Sequence, residues 1–148
     1  MTTEVFVEQI QFTYRAISLN TENITQEESL VFPHPGGNCM NWLLGHIIEY
    51  RNRILTMLNQ KTVWNEDEIN CYKRGSVAKE DIANLMPWQQ LLNYLNYTQD
   101  VLTKVLKEEA ISDAGQIKSL ALFSFHEAYH AGQLGFLRRI LGKEGRIK

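Results

Sequence analysis

Residues 118–141 read KSLALFSFHEAYHAGQLGFLRRIL, a run of 24 residues without proline and with Gly142 directly after it. At about 100° per residue, with His126 set to 0°, Leu137 falls at about 20°, His130 at about 40°, Phe123 at about 60° and Leu134 at about 80°. Gln133 falls at about 340°, and Leu122 and Ile140 at about 320°. The pattern predicts a long amphipathic helix from about Lys118 to Leu141, with both histidines in the middle of its core-facing arc. Gly142 stands where a left-handed C-terminal cap is expected.

Histidines four apart lie one turn above each other and can present two nitrogens to one metal. Buried polar groups without partners cost ~1–3 kcal/mol each, so two histidines with Gln133 beside them need partners inside a bundle. On spacing alone, metal binding and hydrogen-bonded core histidines both remain open. His46 is the only other histidine on a predicted helix; His34 lies in the Phe32–Gly37 segment, where Pro33, Pro35, Gly36 and Gly37 forbid helix. Three neutral imidazoles suit a divalent ion such as zinc or nickel and leave a coordination position for water or substrate.

Upstream, Phe6, Ile10, Thr13 and Ile17 step at helical spacing, predicting a first helix over Val5 to Asn20 with Thr2 or Thr3 as cap. Thr25-Gln26-Glu27-Glu28 has capping-box spacing for one short turn. Asn38 is expected to cap a second long helix ending near Leu58, with His46 on the flank of its apolar face. No long periodic segment appears between Asn59 and Met86, and a connection of that length is usually functional or mobile. Pro87 suits a first helical position, and Trp88, Leu91, Leu95, Leu102 and Leu106 predict a third long helix ending near Glu109, with Gly115 marking the turn after it. The expected fold is an all-α four-helix bundle, one domain over residues 1–148.

A net charge of −2 with interspersed acids and bases gives no basic field for nucleic acid or anionic membrane. No stretch approaches the ~18 apolar residues of a membrane span, and the N-terminus lacks a leader pattern, so the chain reads as cytoplasmic. Cys39 and Cys71, without a second pair, read as free thiols. Cys39 sits seven residues from His46, roughly 10.5 Å along the axis, too far to share its metal. Its place in a first helical turn can lower a thiol pKa; the competing reading is a small buried residue.

His126-Glu127-Ala128-Tyr129-His130 matches the zinc-protease pattern HExxH literally. The extended form of that motif needs Gly and His where this chain has Gln133 and Phe136, and no strand is present to align a peptide. Glu127 lies about 100° from His126 and reads as a solvated residue or one that orients a ligand, rather than a general base.

Three segments, Asn38–His46, Tyr72–Ser76 and His126–Leu134 continuing through Leu137-Arg138-Arg139, closely resemble the DinB-like (YfiT-like) superfamily. The resemblance spans most of the chain. It implies a four-helix bundle, often homodimeric, with zinc or nickel on three histidines that map here onto His46, His126 and His130. It further implies thiol S-transferase chemistry with a low-molecular-weight thiol such as bacillithiol or mycothiol, or metal-dependent hydrolysis. Thiol transfer is the leading expectation and hydrolysis the alternative; a non-enzymatic metal-binding stress or interaction protein is the rival of another class.

Tyr72, Arg74 and Ser76 are candidates for the mouth of the site, with Arg74 gripping a substrate carboxylate by its planar fork. The competing reading has Arg74 tying the long connection down. Ala121, Ser124, Ala128, Ala131, Gly132 and Gly135 form a stripe of small residues opposite the histidines, suited to a close helix contact within the bundle or to a homodimer.

Overall fold

The computed structural model describes residues 2–147, and of Thr2 the backbone alone. Among the described residues the chain is all-helical, with α1 (Thr2–Thr21), α2 (Gln26–Ser29), α3 (Met40–Met57), α4 (Glu66–Ile69), α5 (Trp88–Glu108) and α6 (Ala114–Ile140). Short 3-10 turns cover Asn70–Tyr72 and Ile82–Asn84. The four long helices pack as α1 on α5 and α6, and α3 on α5 and α6. No described helix is long and apolar enough to cross a membrane.

Helix ends follow local chemistry. Thr2 and Thr3 lie within α1, so neither is its cap. Thr25 and Glu28 form the expected capping box, and Asn65 and Glu68 form a second one that starts α4 inside the connection expected to be irregular. α3 is capped by Cys39 rather than Asn38, with no side-chain hydrogen bond. Asp113 caps α6 through Gln116 N–H, so α6 begins four residues before Lys118 and absorbs Gly115 into its first turn. Gly142, at φ 75°, ends α6 with Gly142 N–H on Arg139 and Lys143 N–H on Arg138 carbonyls, the left-handed closure expected there.

The core is two apolar clusters. One holds Ile17, Leu44, Ile47, Ile48, Leu91, Leu95 and Leu134; the other holds Ile10, Ile54, Leu55, Leu102, Leu106, Leu120 and Phe123. Between them in sequence on every long helix stands a polar residue: Thr13 on α1, Arg51 on α3, Thr98 and Gln99 on α5, and Glu127 on α6. Arg51 Nε and Nη2 donate to the two Glu127 oxygens at 2.8 and 2.7 Å. Its Nη1 donates to the Leu95 carbonyl and Thr98 Oγ1, both at 3.2 Å, and Nη2 also reaches Gln99 Oε1 at 3.0 Å. Thr13 Oγ1 donates to Glu127 Oε1 at 2.6 Å. Both charged side chains are wholly buried, so Glu127 is not the solvated residue expected from the sequence.

The stripe of small residues on α6 divides. Ser124 and Ala131 are buried, and a Cβ on Gly135 would meet Asn20 Nδ2 at 3.0 Å, so this part admits α1. Asn20 Nδ2 also donates to the Ala131 carbonyl at 3.1 Å. Ala121, Ala128 and Gly132 face outward.

Removing one partner of a buried ion pair leaves an uncompensated charge, so Glu127→Ala is expected to cost about 3–5 kcal/mol in chemical denaturation. Arg51→Met with Glu127→Leu removes both charges and should recover most of that loss. A single variant as stable as the parent would show that the pair contributes nothing to the fold.

Candidate metal centre

His46 reaches the site from α3, and His126 and His130 from successive turns of α6. Their Nε2 atoms converge: His46 to His126 is 3.1 Å and His126 to His130 is 3.1 Å. The three candidate ligand atoms all lie within 4.8 Å of one another.

Each ring is held by something other than its neighbours' nitrogens. His46 Nδ1–H donates to the Tyr72 carbonyl at 2.7 Å, and the ring stacks on Trp42 with centroids 4.6 Å apart. His130 Nδ1–H donates to Gln133 Oε1 at 2.6 Å. His126 stacks on Tyr50 at 3.5 Å, and its Nδ1 is buried with no hydrogen-bond partner. With the Nδ1 hydrogens of His46 and His130 committed, their Nε2 atoms carry lone pairs. A proton on His126 Nε2 satisfies one of the two, not both.

That donor set fits a divalent cation. An ion at about 2.0–2.1 Å from each nitrogen holds two of them about 2.9 Å apart at a right angle and about 3.3 Å apart at the tetrahedral angle, which brackets the observed spacing. Burial pushes the His46 imidazolium down to about 4, against the Tyr72 carbonyl bond that favours charge. Burial, then the other two histidines, pushes His126 down to about 3; burial also lowers His130, against the Gln133 bond. Neutral imidazole is the metal-binding form.

The histidines open on a cavity of about 1000 Å³, walled by the Pro33–Asn38 loop, α3, Arg74 and α6. The other expected site residues fall in different places. Gln133 lines the cavity and orients His130. Arg74 lines it and is exposed. Tyr72 serves through its backbone. Its ring is buried against Gly45, where a Cβ would come within 2.2 Å of it, and its hydroxyl donates to Asn41 Oδ1 at 3.0 Å and accepts from Met86 N–H at 2.6 Å. Ser76 pins the connection by accepting from Trp42 Nε1 at 2.9 Å. The hydrogen bonds of Glu127 go to Arg51 and Thr13 and none to a histidine. Cys39 is fully buried and burial raises its thiol pKa, so it is the small core residue rather than an activated thiol.

The histidines sit at the edge of the buried arc of α6 rather than in its middle. Leu122 and Ile140, expected in the core, are 60% and 43% exposed, while Leu120, Glu127 and Ala131 are buried. Sequence reasoning passed over Trp42 and Tyr50 as site residues. Their signal was a position four residues before and four after His46, one turn away on each side. Compared with protein-family models, curated proteins and solved structures, the chain finds no match.

Below pH 6.5 the unfolded chain takes up protons at these rings that the folded chain accepts only near 4 at His46 and near 3 at His126. Folded stability from this source is therefore complete above pH 6.5 and lost as pH falls through that window. Metal-free protein is expected to lose denaturation stability between pH 6.5 and 4, and His46→Gln with His126→Gln to flatten the dependence. Equal slopes for parent and double variant would mean that the rings are solvated.

Proposed function

We propose that the chain is a DinB-like four-helix-bundle protein holding zinc or nickel on His46, His126 and His130, and that it catalyses thiol transfer. The observation that carries this reading is three imidazole nitrogens converging at the wall of a substrate-sized cavity. Three histidines leave an ion at least one further position, and no fourth His, Cys, Asp or Glu joins the cluster among the described residues. A bound divalent ion supplies positive charge that lowers the pKa of a thiol or water beside it. Gln133, the Tyr72 carbonyl, Trp42 and Tyr50 hold the rings in place.

Hydrolysis is the alternative, and the cavity weighs against it. A water nucleophile gains from a general base within reach; no Asp or Glu lines the cavity among the described residues, which leaves His34 in the Pro33–Asn38 loop as the one side chain there suited to that role. Glu127, the base in a literal HExxH reading, is consumed by Arg51. A thiol is far more acidic than water before it meets an ion, so it can release its proton to solvent and depends less on such a base. The non-enzymatic rival expects no substrate-sized space, so the volume beside the histidines weighs against it too.

His126→Ala is expected to abolish stoichiometric metal binding in protein purified without a tag, with helicity retained; equal metal content in variant and parent removes the assignment. Cobalt-substituted protein should then develop a sulfur-to-metal charge-transfer band on titration with bacillithiol, mycothiol or a simple thiol. A loaded cobalt site that shows no band at saturating thiol favours hydrolysis instead.

The same proposal includes a homodimer through the outer face of α6. Leu122, Phe125, Tyr129 and Phe136 are each more than half exposed, with Ala121, Ala128 and Gly132 beside them. They offer on the order of 500 Å² of apolar surface, much of the ~800 Å² per partner in a standard interface. Phe125→Lys is expected to halve the mass seen by sedimentation while metal content stays unchanged. A parent that sediments as a monomer eliminates the dimer.

A further inference from the structure

Arg74 stands apart from the other cations near the site. Its neighbour Lys73 pairs with Glu66 at 3.1 Å, Arg53 with Glu49 at 2.5 Å, and Arg51 is saturated in the core. Arg74 makes no hydrogen bond or ion pair among the described residues, although it lines the cavity. It does not tie the connection down. That work falls to its neighbours: the Tyr72 carbonyl receives His46 Nδ1–H, and Ser76 Oγ receives Trp42 Nε1–H.

The turn between those two anchors is closed by Ser76 N–H on the Lys73 carbonyl at 3.0 Å. Gly75, with φ 89°, takes its left-handed position, which makes the turn one that a side chain other than glycine would strain. Arg74 is therefore projected from a short rigid turn whose ends are pinned to α3 at Trp42 and His46, the same helix that carries a candidate ligand. The pinned turn fixes where Arg74 leaves the backbone, while the unpartnered side chain is left free to be ordered by what it binds.

The charge of the cavity is one-sided. The chain has 17 acidic residues, and none lines this cavity among the described residues, while Arg74 is its one Lys or Arg. Trp42, Tyr50, Tyr129 and Phe136 supply apolar parts of the cavity wall. A single planar fork with no second Lys or Arg beside it among the described residues suits a monoanionic carboxylate better than a phosphate dianion, which generally gathers several donors or charges.

We propose that the cavity selects a small organic carboxylate: Arg74 grips the carboxylate, an apolar or flexible body lies along the aromatic wall, and the far end reaches the three histidine nitrogens. This deepens the metal reading above and rests on it for the reacting end alone.

The test uses the cobalt-loaded full chain and the ω-mercaptocarboxylates from mercaptopropionate to mercaptohexanoate, each beside its neutral amide. Binding is read by the charge-transfer band and, independently of any sulfur–metal bond, by calorimetry. At one or more chain lengths the carboxylate should bind about tenfold tighter or more than its amide, as a charge-assisted bond gives. Arg74→Gln should bring the pair to within about twofold while leaving amide binding and helicity unchanged, and Arg74→Lys should keep part of the preference. No preference at any length, or one that survives Arg74→Gln, overturns the proposal. A calorimetric preference that depends on Arg74 without a charge-transfer band upholds the carboxylate site and sinks the thiol reading instead.

Discussion

A guanidinium with every N–H engaged lies at the centre of this molecule. Arg51 directs Nε, Nη1 and Nη2 to five acceptors on α5 and α6, and the Glu127 carboxylate it grips takes a further bond from Thr13 on α1. A saturated buried ion pair adds little net stability over an apolar isostere. It does penalise every packing of the four helices that slides one past another, because a slipped helix strands a buried charge. In this chain the ion pair therefore acts mainly on register.

Register is what the histidines need. His126 adjoins Glu127 in sequence, and His46 precedes Arg51 by five residues, about 7.5 Å along α3. Fixing Arg51 against Glu127 thus fixes His46 against His126, with no hydrogen bond between the ion pair and the rings among the described residues. The literal HExxH string splits into two jobs: its histidines line the cavity, and its glutamate, about 100° round the helix, is buried against Arg51 and Thr13. A zinc protease has the same step and leaves that glutamate free to act as base; here its oxygens are already bonded in the core.

The four long helices were legible because their apolar residues recur at helical spacing over many turns, and Gly142 was legible as a stop because its chemistry is local. The same logic applies to Asn65-Glu66-Asp67-Glu68, which repeats the capping-box spacing of Thr25–Glu28, but a four-residue helix leaves no periodicity to draw attention to it. Periodicity set the face of α6 about 70° off, most of a quadrant. Leu122 and Ile140 count as apolar wherever they point, whereas Glu127 counts as polar even when it is as buried as Leu120 and Leu134. Arg51 was invisible for the same reason, since a charge on a helix reads as solvent-facing until its partner on another helix is known. The convergence of the three histidines was readable, and so was Gln133 beside His130; the support of His46 was not, because the Tyr72 carbonyl carries no sequence signature.

The two polar centres are built on opposite terms. At Arg51 every donor and acceptor is matched, and the group is inert. Among the histidines the matching stops one step short: two Nδ1 hydrogens are placed, His126 Nδ1 has no partner, and three Nε2 atoms meet where at most one proton can be shared between them. Stacking on Trp42 and Tyr50 keeps the rings from turning away to relieve this. A cation at that point would resolve the facing lone pairs together, so part of its binding energy would be prepaid by the fold. The aromatic rings and the pinned Tyr72–Ser76 turn would keep that geometry whether or not an ion is bound, which makes the centre a preorganised site, in contrast to one that an ion must assemble.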